Sequence, residues 1–367
     1  MYMCMQNSRK HANEMTPKLG MIGCGLIANA HGLAAQRSRT SVKIVAASSR
    51  SLSSAQSFAD EFSCPATYDD HLHLLQNETL DGVIIATPPA AHQQIILDCL
   101  DAGIKHILCE KPLTLTGNEA QTVTEAAQEA GATLIEGFMY RYHPQIQRSL
   151  DIIRSGELGA VDHFHSSITM LDPSEAGEDD MPPSWRRNED QGGVLHDFLC
   201  YPIDAANLFI DSEPVKAFAR TFTSPRYGTV YRIYGMIEYT NGVMATINAS
   251  RLSDYNQPIS VACTNGTLSL DVAYNPLDEC QIKIRRSSGL IATGEIQTPV
   301  NAIKNDSTRL LDLPVFTTQL DHFVGVIQGK QQTLISMQAS LRNARVRDAL
   351  IKSALSGQWT SIILRNI

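Results

Sequence analysis

Through the first 140 residues, short apolar runs alternate with stretches whose apolar positions recur every three or four residues. Residues 18–22 read as a strand, followed by a helical stretch to about Gln36. A second strand is expected at 42–47, then a helix with Leu52, Ala55, Ala59 and Phe62 on one face. Residues 80–86 and 103–109 are further strands, 121–129 a helix and 132–137 another strand. Strands that alternate with helices predict a parallel, doubly wound sheet.

After Pro144 a helical piece runs from Ile146 to Ile153 and closes at Gly156, and from Ala160 the period changes to two. Tyr231, Ile233, Gly235, Ile237 and Tyr239 alternate with more polar neighbours, and so do Val243, Ala245, Ile247 and Ala249. Asn241-Gly242 between them is a hairpin signal. Asn265-Gly266 suggests another hairpin, into Leu268, Leu270 and Val272, with short strands near 281–286 and 290–297. This half predicts a large, mostly antiparallel sheet with helices on one face and the other face open. Phe316, Leu320, Phe323 and Ile327 trace one helix face, a second helix runs from about Gln338 to Leu355, and 361–364 is a final strand; these read as scaffold. The long polar connection at 173–192 carries Glu175, Glu178, Asp179, Asp180 and Pro182-Pro183 and reads as a substrate-side lid.

Composition narrows the function. The net charge of −8 argues against nucleic acid or an anionic membrane as partner. No apolar run is long enough to span a bilayer. The eight cysteines form no Cys-x-x-Cys pair and stand beside no histidine at zinc-finger spacing, so a cytoplasmic protein without metal is expected.

The first strand runs into Gly23-Cys24-Gly25-Leu26-Ile27-Ala28, the Gly-x-Gly-x-x-Ala form of the dinucleotide fingerprint. Gly23 permits the tight turn, Gly25 lets backbone approach a pyrophosphate, and Ala28 allows close helix packing. The second strand ends in Ser48-Ser49-Arg50, where an NAD enzyme usually places an acidic residue for the ribose 2′-hydroxyl. A hydroxyl and a guanidinium suit a 2′-phosphate, which favours NADP(H) over NAD(H). Ala86-Thr87-Pro88 and Glu110-Lys111 close two strands at the edge of the sheet where such folds bind ligands, and they join the expected cofactor contacts, as does His92. The fold expected is an α/β Rossmann domain at 17–138 after a loose extension at 1–16. An α+β domain with the open-faced sheet follows at 139–367.

The chemistry is expected at Gly192-Gly193-Val194-Leu195-His196-Asp197-Phe198-Leu199-Cys200-Tyr201-Pro202. In a helical segment, Asp197 and Tyr201 lie on one face, one turn apart. A carboxylate beside a phenol can bind a polyol and move its hydroxyl proton. Tyr201 is expected to take that proton, Lys111 to lower the phenol's pKa from about 10, and Asp197 to orient an adjacent hydroxyl.

Taken in order, these motifs resemble a known family. They are Gly-x-Gly-x-x-Ala, Thr87-Pro88-Pro89-x-x-His92, Glu110-Lys111-Pro112, Glu136-Gly137-Phe138-Met139-Tyr140-Arg141-Tyr142-His143-Pro144, Trp185-Arg186, and Gly192-Gly193-x-x-x-Asp197-x-x-Cys200-Tyr201-Pro202. The chain resembles the glucose–fructose oxidoreductase / inositol dehydrogenase / MocA family over roughly 17–360. It is most similar to the branch with glucose–fructose oxidoreductase, xylose dehydrogenase and dihydrodiol dehydrogenase. The resemblance implies a nicotinamide-dependent oxidoreductase for a sugar, polyol or related carbonyl, with Lys111, Asp197 and Tyr201 catalytic. It also implies Trp185 and Arg186 near nicotinamide and substrate, Arg141 among the substrate contacts, and a homodimer or homotetramer through the open sheet. Some relatives carry out cofactor-assisted elimination or hydrolysis without net redox, and others are cofactor-sensing regulators. His196 and Leu199 depart from the family's usual Leu or Met before the Asp and Gly after it, which bears on substrate identity more than on reaction class.

Overall fold

The structure, a computed structural model, describes residues 16–175, 184–276, 280–288, 291–299 and 314–364. The expected extension at 1–15 and the middle of the polar connection, with Glu178, Asp179, Asp180, Pro182 and Pro183, lie outside the described residues.

The first half runs β1 (Lys18–Ile22), α1 (Leu26–Arg37), β2 (Lys43–Ser48), α2 (Leu52–Phe62), β3 (Ala66–Tyr68), α3 (His71–Asn77), β4 (Gly82–Ile85), α4 (His92–Asp101), β5 (His106–Glu110), α5 (Gly117–Glu129) and β6 (Thr133–Gly137). Its six strands pair in the order β3-β2-β1-β4-β5-β6, all parallel. The strand order reverses between β1 and β4, and a crevice opens there at the carboxyl ends. Helices cover both faces, so Val83, Ile84 and Ile85 are fully buried in succession rather than in alternation.

The second half runs α6 (Pro144–Arg154), β7 (Val161–Thr169), α7 (Gly193–Asp197), α8 (Cys200–Ile210), β8 (Pro214–Thr223), β9 (Val230–Tyr239), β10 (Met244–Ser250), β11 (Ile259–Cys263), β12 (Gly266–Leu270), β13 (Gln281–Ser288), β14 (Ile291–Pro299), α9 (Pro314–Ile327), α10 (Met337–Ser356) and β15 (Thr360–Ser361). Nine strands pair in the order β14-β13-β12-β11-β7-β10-β9-β8-β15. Within this second sheet, among the described residues, β7 and β10 are the one strand pair that runs in parallel. The expected turn at Asn241-Gly242 joins β9 to β10, with Gly242 at φ +83°, where a side chain would be strained.

The helices α9 and α10 do more than close the second half. Helix α9 returns to α1, where Ser38 Oγ and Thr40 Oγ1 donate to Asp321 Oδ1 at 2.5 and 3.2 Å. Helix α10 reaches both α5, through Arg345 Nη1 to Asn118 Oδ1 at 2.8 Å, and α8, through Asn343 Nδ2 to Asp204 Oδ1 at 2.8 Å.

The expected single helix through Asp197 and Tyr201 is two. Helix α7 stops at Asp197 and α8 starts at Cys200. Pro202 has no N–H for the Phe198 carbonyl, which would be its i−4 partner. That carbonyl accepts from Tyr201 N instead, at 3.1 Å, and the chain resets.

Candidate active site

A crevice of about 400 Å³ lies between the carboxyl ends of the parallel sheet and the second half. At its nucleotide end, Gly23 sits at φ +93°, and a Cβ there would come within 2.8 Å of the Ala86 and Thr87 backbone. Gly25 is the reverse case: nothing lies within 4 Å of where its Cβ would stand, which leaves the room a pyrophosphate needs. Gly25 caps α1 with no side-chain hydrogen bond and no acidic residue in the first turn, so its N–H groups and helix dipole face an anion unopposed. Ala28 is fully buried. The Cys24 thiol turns away to the Ser48 carbonyl at 3.5 Å.

At the end of β2, Ser48 Oγ is buried without a partner among the described residues, Ser49 Oγ accepts from Ser51 N at 3.4 Å, and Arg50 is exposed. Helix α2 starts immediately after, with no acidic residue in its first turn. These features fit a dinucleotide with a phosphate at this corner.

The crevice lining takes in Leu26, Ile27, Ala86, Thr87, Pro88 and Glu110 from the expected cofactor set, and Trp185 and Arg186 from the three-residue 3₁₀ turn at Trp185–Arg187. Lys111, Asp197 and Tyr201 meet at its floor. Lys111 Nζ donates to the Asp197 carbonyl at 2.8 Å and to Asp197 Oδ1 at 3.1 Å. The same ammonium stands 4.8 Å from the centre of the Tyr201 ring. Burial works against its charge, but Tyr201 and Asp197 outweigh burial and hold Lys111 above the ordinary lysine range.

Asp197 is 2% exposed and meets three cations. Its Oδ1 takes Lys111, and its Oδ2 takes Arg186 Nε at 2.9 Å and Arg251 Nη2. Burial alone would raise its pKa; Lys111, Arg186 and Arg251 hold it well below the carboxylate range. The Tyr201 hydroxyl donates to Met139 Sδ at 3.6 Å, a weak acceptor. Phe138, Tyr140 and Tyr274 surround its ring at 5.8, 6.0 and 5.1 Å. Burial pushes the phenol well above its usual range, further than Lys111 pulls it down. The expected net lowering by Lys111 is therefore reversed, because the aromatic surround desolvates the phenolate.

Two expected contacts fall elsewhere. Arg141 is outside the crevice lining: its Nε pairs with buried Asp204 at 2.9 Å and its Nη1 donates to the carbonyl of the exposed Leu334 at 3.2 Å. His92 is fully buried and acts as a strut. Its Nε2 faces the Thr87 carbonyl at 2.9 Å and its Nδ1 the Pro112 carbonyl at 3.0 Å, which ties the ends of β4 and β5 together. His196, half-buried, is drawn down to about 3 by burial and the Arg347 charge, and stays neutral beside the site. Arg187 does not face the crevice; it pairs with Asp172 at 3.2 Å.

Several residues of the site were not singled out in the sequence. Arg251 follows β10 directly, the same end-of-strand placement that drew attention to Lys111. His31, buried in α1, meets Glu110 Oε1 at 2.9 Å and packs edge-on against Phe316 at 5.3 Å. Phe316, expected as scaffold, lines the crevice. The far wall is Ile168, Met170, Tyr255, Gln257 and Asn275. The Tyr255 hydroxyl donates to the Asn275 carbonyl at 3.5 Å, and Gln257 Oε1 accepts from Asn275 N at 2.9 Å.

Known proteins share this fold. A D-xylose 1-dehydrogenase (NADP(+)) from Haloferax volcanii is 28% identical over 312 residues, 85% of this chain and 90% of that protein. A dTDP-3,4-didehydro-2,6-dideoxy-alpha-D-glucose 3-reductase from Actinomadura kijaniata is 32% identical over 203 residues, 55% of this chain and 58% of that protein. Among solved structures, a levoglucosan dehydrogenase in complex with NADH and levoglucosan superposes with a TM-score of 0.84 at 20% identity, covering 95% of this chain and all of that one. A 3-ketoreductase from Actinomadura kijaniata with NADP and TDP-benzene gives 0.80 at 24% identity, covering 92% and 98%. The family model described as an oxidoreductase family with an NAD-binding Rossmann fold matches residues 18–138, and the GFO/IDH/MocA C-terminal domain model matches 146–269. With both models matched in order, the chain belongs to the Gfo/Idh/MocA family of NAD(P)-binding oxidoreductases.

Proposed function

We propose that this protein is an NADP(H)-preferring oxidoreductase that transfers a hydride between the nicotinamide and a sugar, polyol or ketosugar, with Tyr201 as general acid and base. The observation that carries this reading is the single ammonium of Lys111, which touches both Asp197 and the face of Tyr201 at the floor of the dinucleotide crevice. In the reducing direction Tyr201, a neutral phenol, donates its proton to the substrate carbonyl oxygen, and Lys111 stabilises the phenolate left behind. In the oxidising direction Tyr201, as its phenolate, takes the hydroxyl proton, and the same cation offsets part of the cost of desolvation. Asp197 holds Lys111, Arg186 and Arg251 in place; its Oδ1, with only Lys111 on it among the described residues, keeps a lone pair for a substrate hydroxyl. Tyr255, Gln257 and Asn275 face it with groups suited to hydroxyls.

Ser48, Ser49 and Arg50 at the start of α2 support the 2′-phosphate, and the Haloferax relative's name is consistent with it. The test is nicotinamide absorbance with NADP and NAD across aldoses, inositols, ketosugars and diols, in both directions. Turnover with NADP preferred supports the reading; cofactor binding with silence across the panel overturns it.

The open face of the nine-stranded sheet suits a homo-oligomer. On β8 and β9 it carries Phe222 and Tyr234, 46% and 49% exposed, ring edge to ring face at 6.3 Å.

A further inference from the structure

The segment after Lys111 has no regular structure before α5, yet buried side chains from three elements hold its backbone from behind. His92 of α4 faces the carbonyls of Pro112 and Leu113 at 3.0 and 3.2 Å. Glu136 of β6 accepts from Leu113 N at 2.9 Å. Arg347 of α10 donates from Nη2 to the Thr114 carbonyl at 2.7 Å. Glu136 is 3% exposed and Arg347 2%. Arg347 stands near enough to Glu136 for its charge to lower that carboxyl against burial, while Glu136 Oε2 and Arg347 Nε each lack a hydrogen-bond partner among the described residues.

Helix α10 is fixed equally firmly to the other half of the site. Asn343 Nδ2 donates to Asp204 Oδ1 and its Oδ1 accepts from Asn207 Nδ2, both at 2.8 Å. Asp204 and Asn207 belong to α8, the helix that presents Tyr201. Asn343 and Arg347 are four residues apart on α10 and so share a face. One helix face therefore grips the Lys111 segment with one residue and the Tyr201 helix with another.

We propose that Arg347, with its buried neighbour Glu136 holding the adjoining residue of the same segment, is a positioning residue that sets where Lys111 meets Asp197 and Tyr201. Lys111 comes from one half of the chain and its two partners from the other, and α10 touches both. A reacting group displaced by about 1 Å can lose on the order of 100-fold in rate. The inference rests on the role given to Lys111 above.

A double-mutant cycle tests it. Arg347→Met is compared with Arg347→Lys, in the wild-type and Lys111→Ala backgrounds, by kcat, KM and cofactor affinity. Arg347→Met is expected to lower kcat about 10- to 100-fold with cofactor affinity little changed, since the effect is one of orientation. Arg347→Lys, which can still donate to Thr114, recovers part of the loss. On the Lys111→Ala background the same change costs less than about 2-fold, because contacts acting through one group are not additive. An equal loss in both backgrounds, or an Arg347→Met protein with full kcat, overturns the inference. Should Arg347→Met not fold, Glu136→Gln goes through the same cycle; it keeps an acceptor for Leu113 and removes the counter-charge, and absence of coupling there overturns the inference too. Full turnover by Lys111→Ala alone brings down the functional reading itself, and this one with it; a normal Lys111→Ala defect without coupling brings down only this one.

Discussion

Lys111 stands over the ring of Tyr201, 4.8 Å from its centre, rather than beside its hydroxyl. An ammonium in that place is attracted by the ring and stabilises negative charge anywhere on the phenolate. It also leaves the hydroxyl, held among the described residues only by Met139 Sδ, free to turn to a substrate oxygen. Tyr201→Phe keeps the ring contact and deletes the proton, so kcat is expected to fall about 10²- to 10⁴-fold with cofactor affinity little changed. Steady-state rates and cofactor titration check this, and a Tyr201→Phe enzyme at full speed refutes the assignment.

The raised phenol pKa gives a pH signature. Because burial keeps Tyr201 protonated through the neutral range, the reducing direction is expected to hold its rate as pH rises toward 9. The oxidising direction, which needs the proton removed, is expected to quicken over the same range. Rates in both directions between pH 6 and 9 check this; matching profiles count against Tyr201 as the group that moves the proton.

Asp197 ties three cations, so its loss is felt in stability as well as in rate. Asp197→Ala leaves Lys111 without its carboxylate and Arg251 with Asp172 alone, and is expected to cost about 3–5 kcal/mol. The folded-state pKa is depressed below the unfolded value of 3.8, so the unfolded chain binds the proton first as pH falls. The contribution is fully present above that value and is lost as pH drops through the folded pKa. Denaturant melts at pH 7 and pH 3 are expected to show Asp197→Asn closer to wild type at the lower pH.

Glu136 runs the other way. Burial, the largest cause, pushes it up to about 7, with Asp204 adding to this and Arg347, Leu113 N–H and Ser340 opposing it. Between the unfolded value of 4.5 and about 7 the folded state holds the extra proton, so stability is greatest below that window and falls as pH rises through it. Ionisation costs on the order of 3 kcal/mol. Glu136→Gln, which cannot ionise, is expected to gain on wild type as pH is raised from 5 to 8, read from melting temperature.

How much of this was legible in the chain depends on where each signal lives. The fingerprint at Gly23–Ala28 and the strand ends at Lys111 and Arg50 are local, because a parallel sheet delivers its strand ends to one edge whatever the rest does. Strand β8 was missed for a physical reason. Its inward positions are Ala217 and Ala219, which α10 approaches closely, while Phe218 and Phe222 face outward, so the apolar alternation is inverted. The break between α7 and α8 was legible in Pro202, but the Asp197–Tyr201 spacing suggested one helix. Arg251, His31 and Phe316 reach the site by tertiary packing, which spacing along the chain does not encode.

Cofactor choice tests the corner at β2. Arg50 is exposed, and Ser49 and the partnerless Ser48 hydroxyl stand beside the first turn of α2. A charge-assisted bond to a 2′-phosphate is worth about 1.5–3 kcal/mol, so Arg50→Ala is expected to weaken NADP at least about tenfold and leave NAD nearly unchanged. Equal losses for both cofactors would mean that Arg50 serves the adenine, not the phosphate.

The open sheet face makes the last prediction. Phe222 and Tyr234 are half-exposed on neighbouring strands, with Arg232 5.5 Å over the Phe222 ring. Aromatic side chains beside an arginine are typical of the centre of an interface rather than of free surface. The nearby Thr246 and Asn248 are polar enough for water, so the aromatic pair is what discriminates between a covered and a bare face. A Phe222→Glu, Tyr234→Glu double variant places two like charges on adjacent strands where a partner would have to bury them. Light scattering is expected to show the wild type as a dimer or tetramer and the variant as a monomer that still binds cofactor, because the crevice lies on the other side of the sheet's strand ends. A wild-type monomer means the face is solvated.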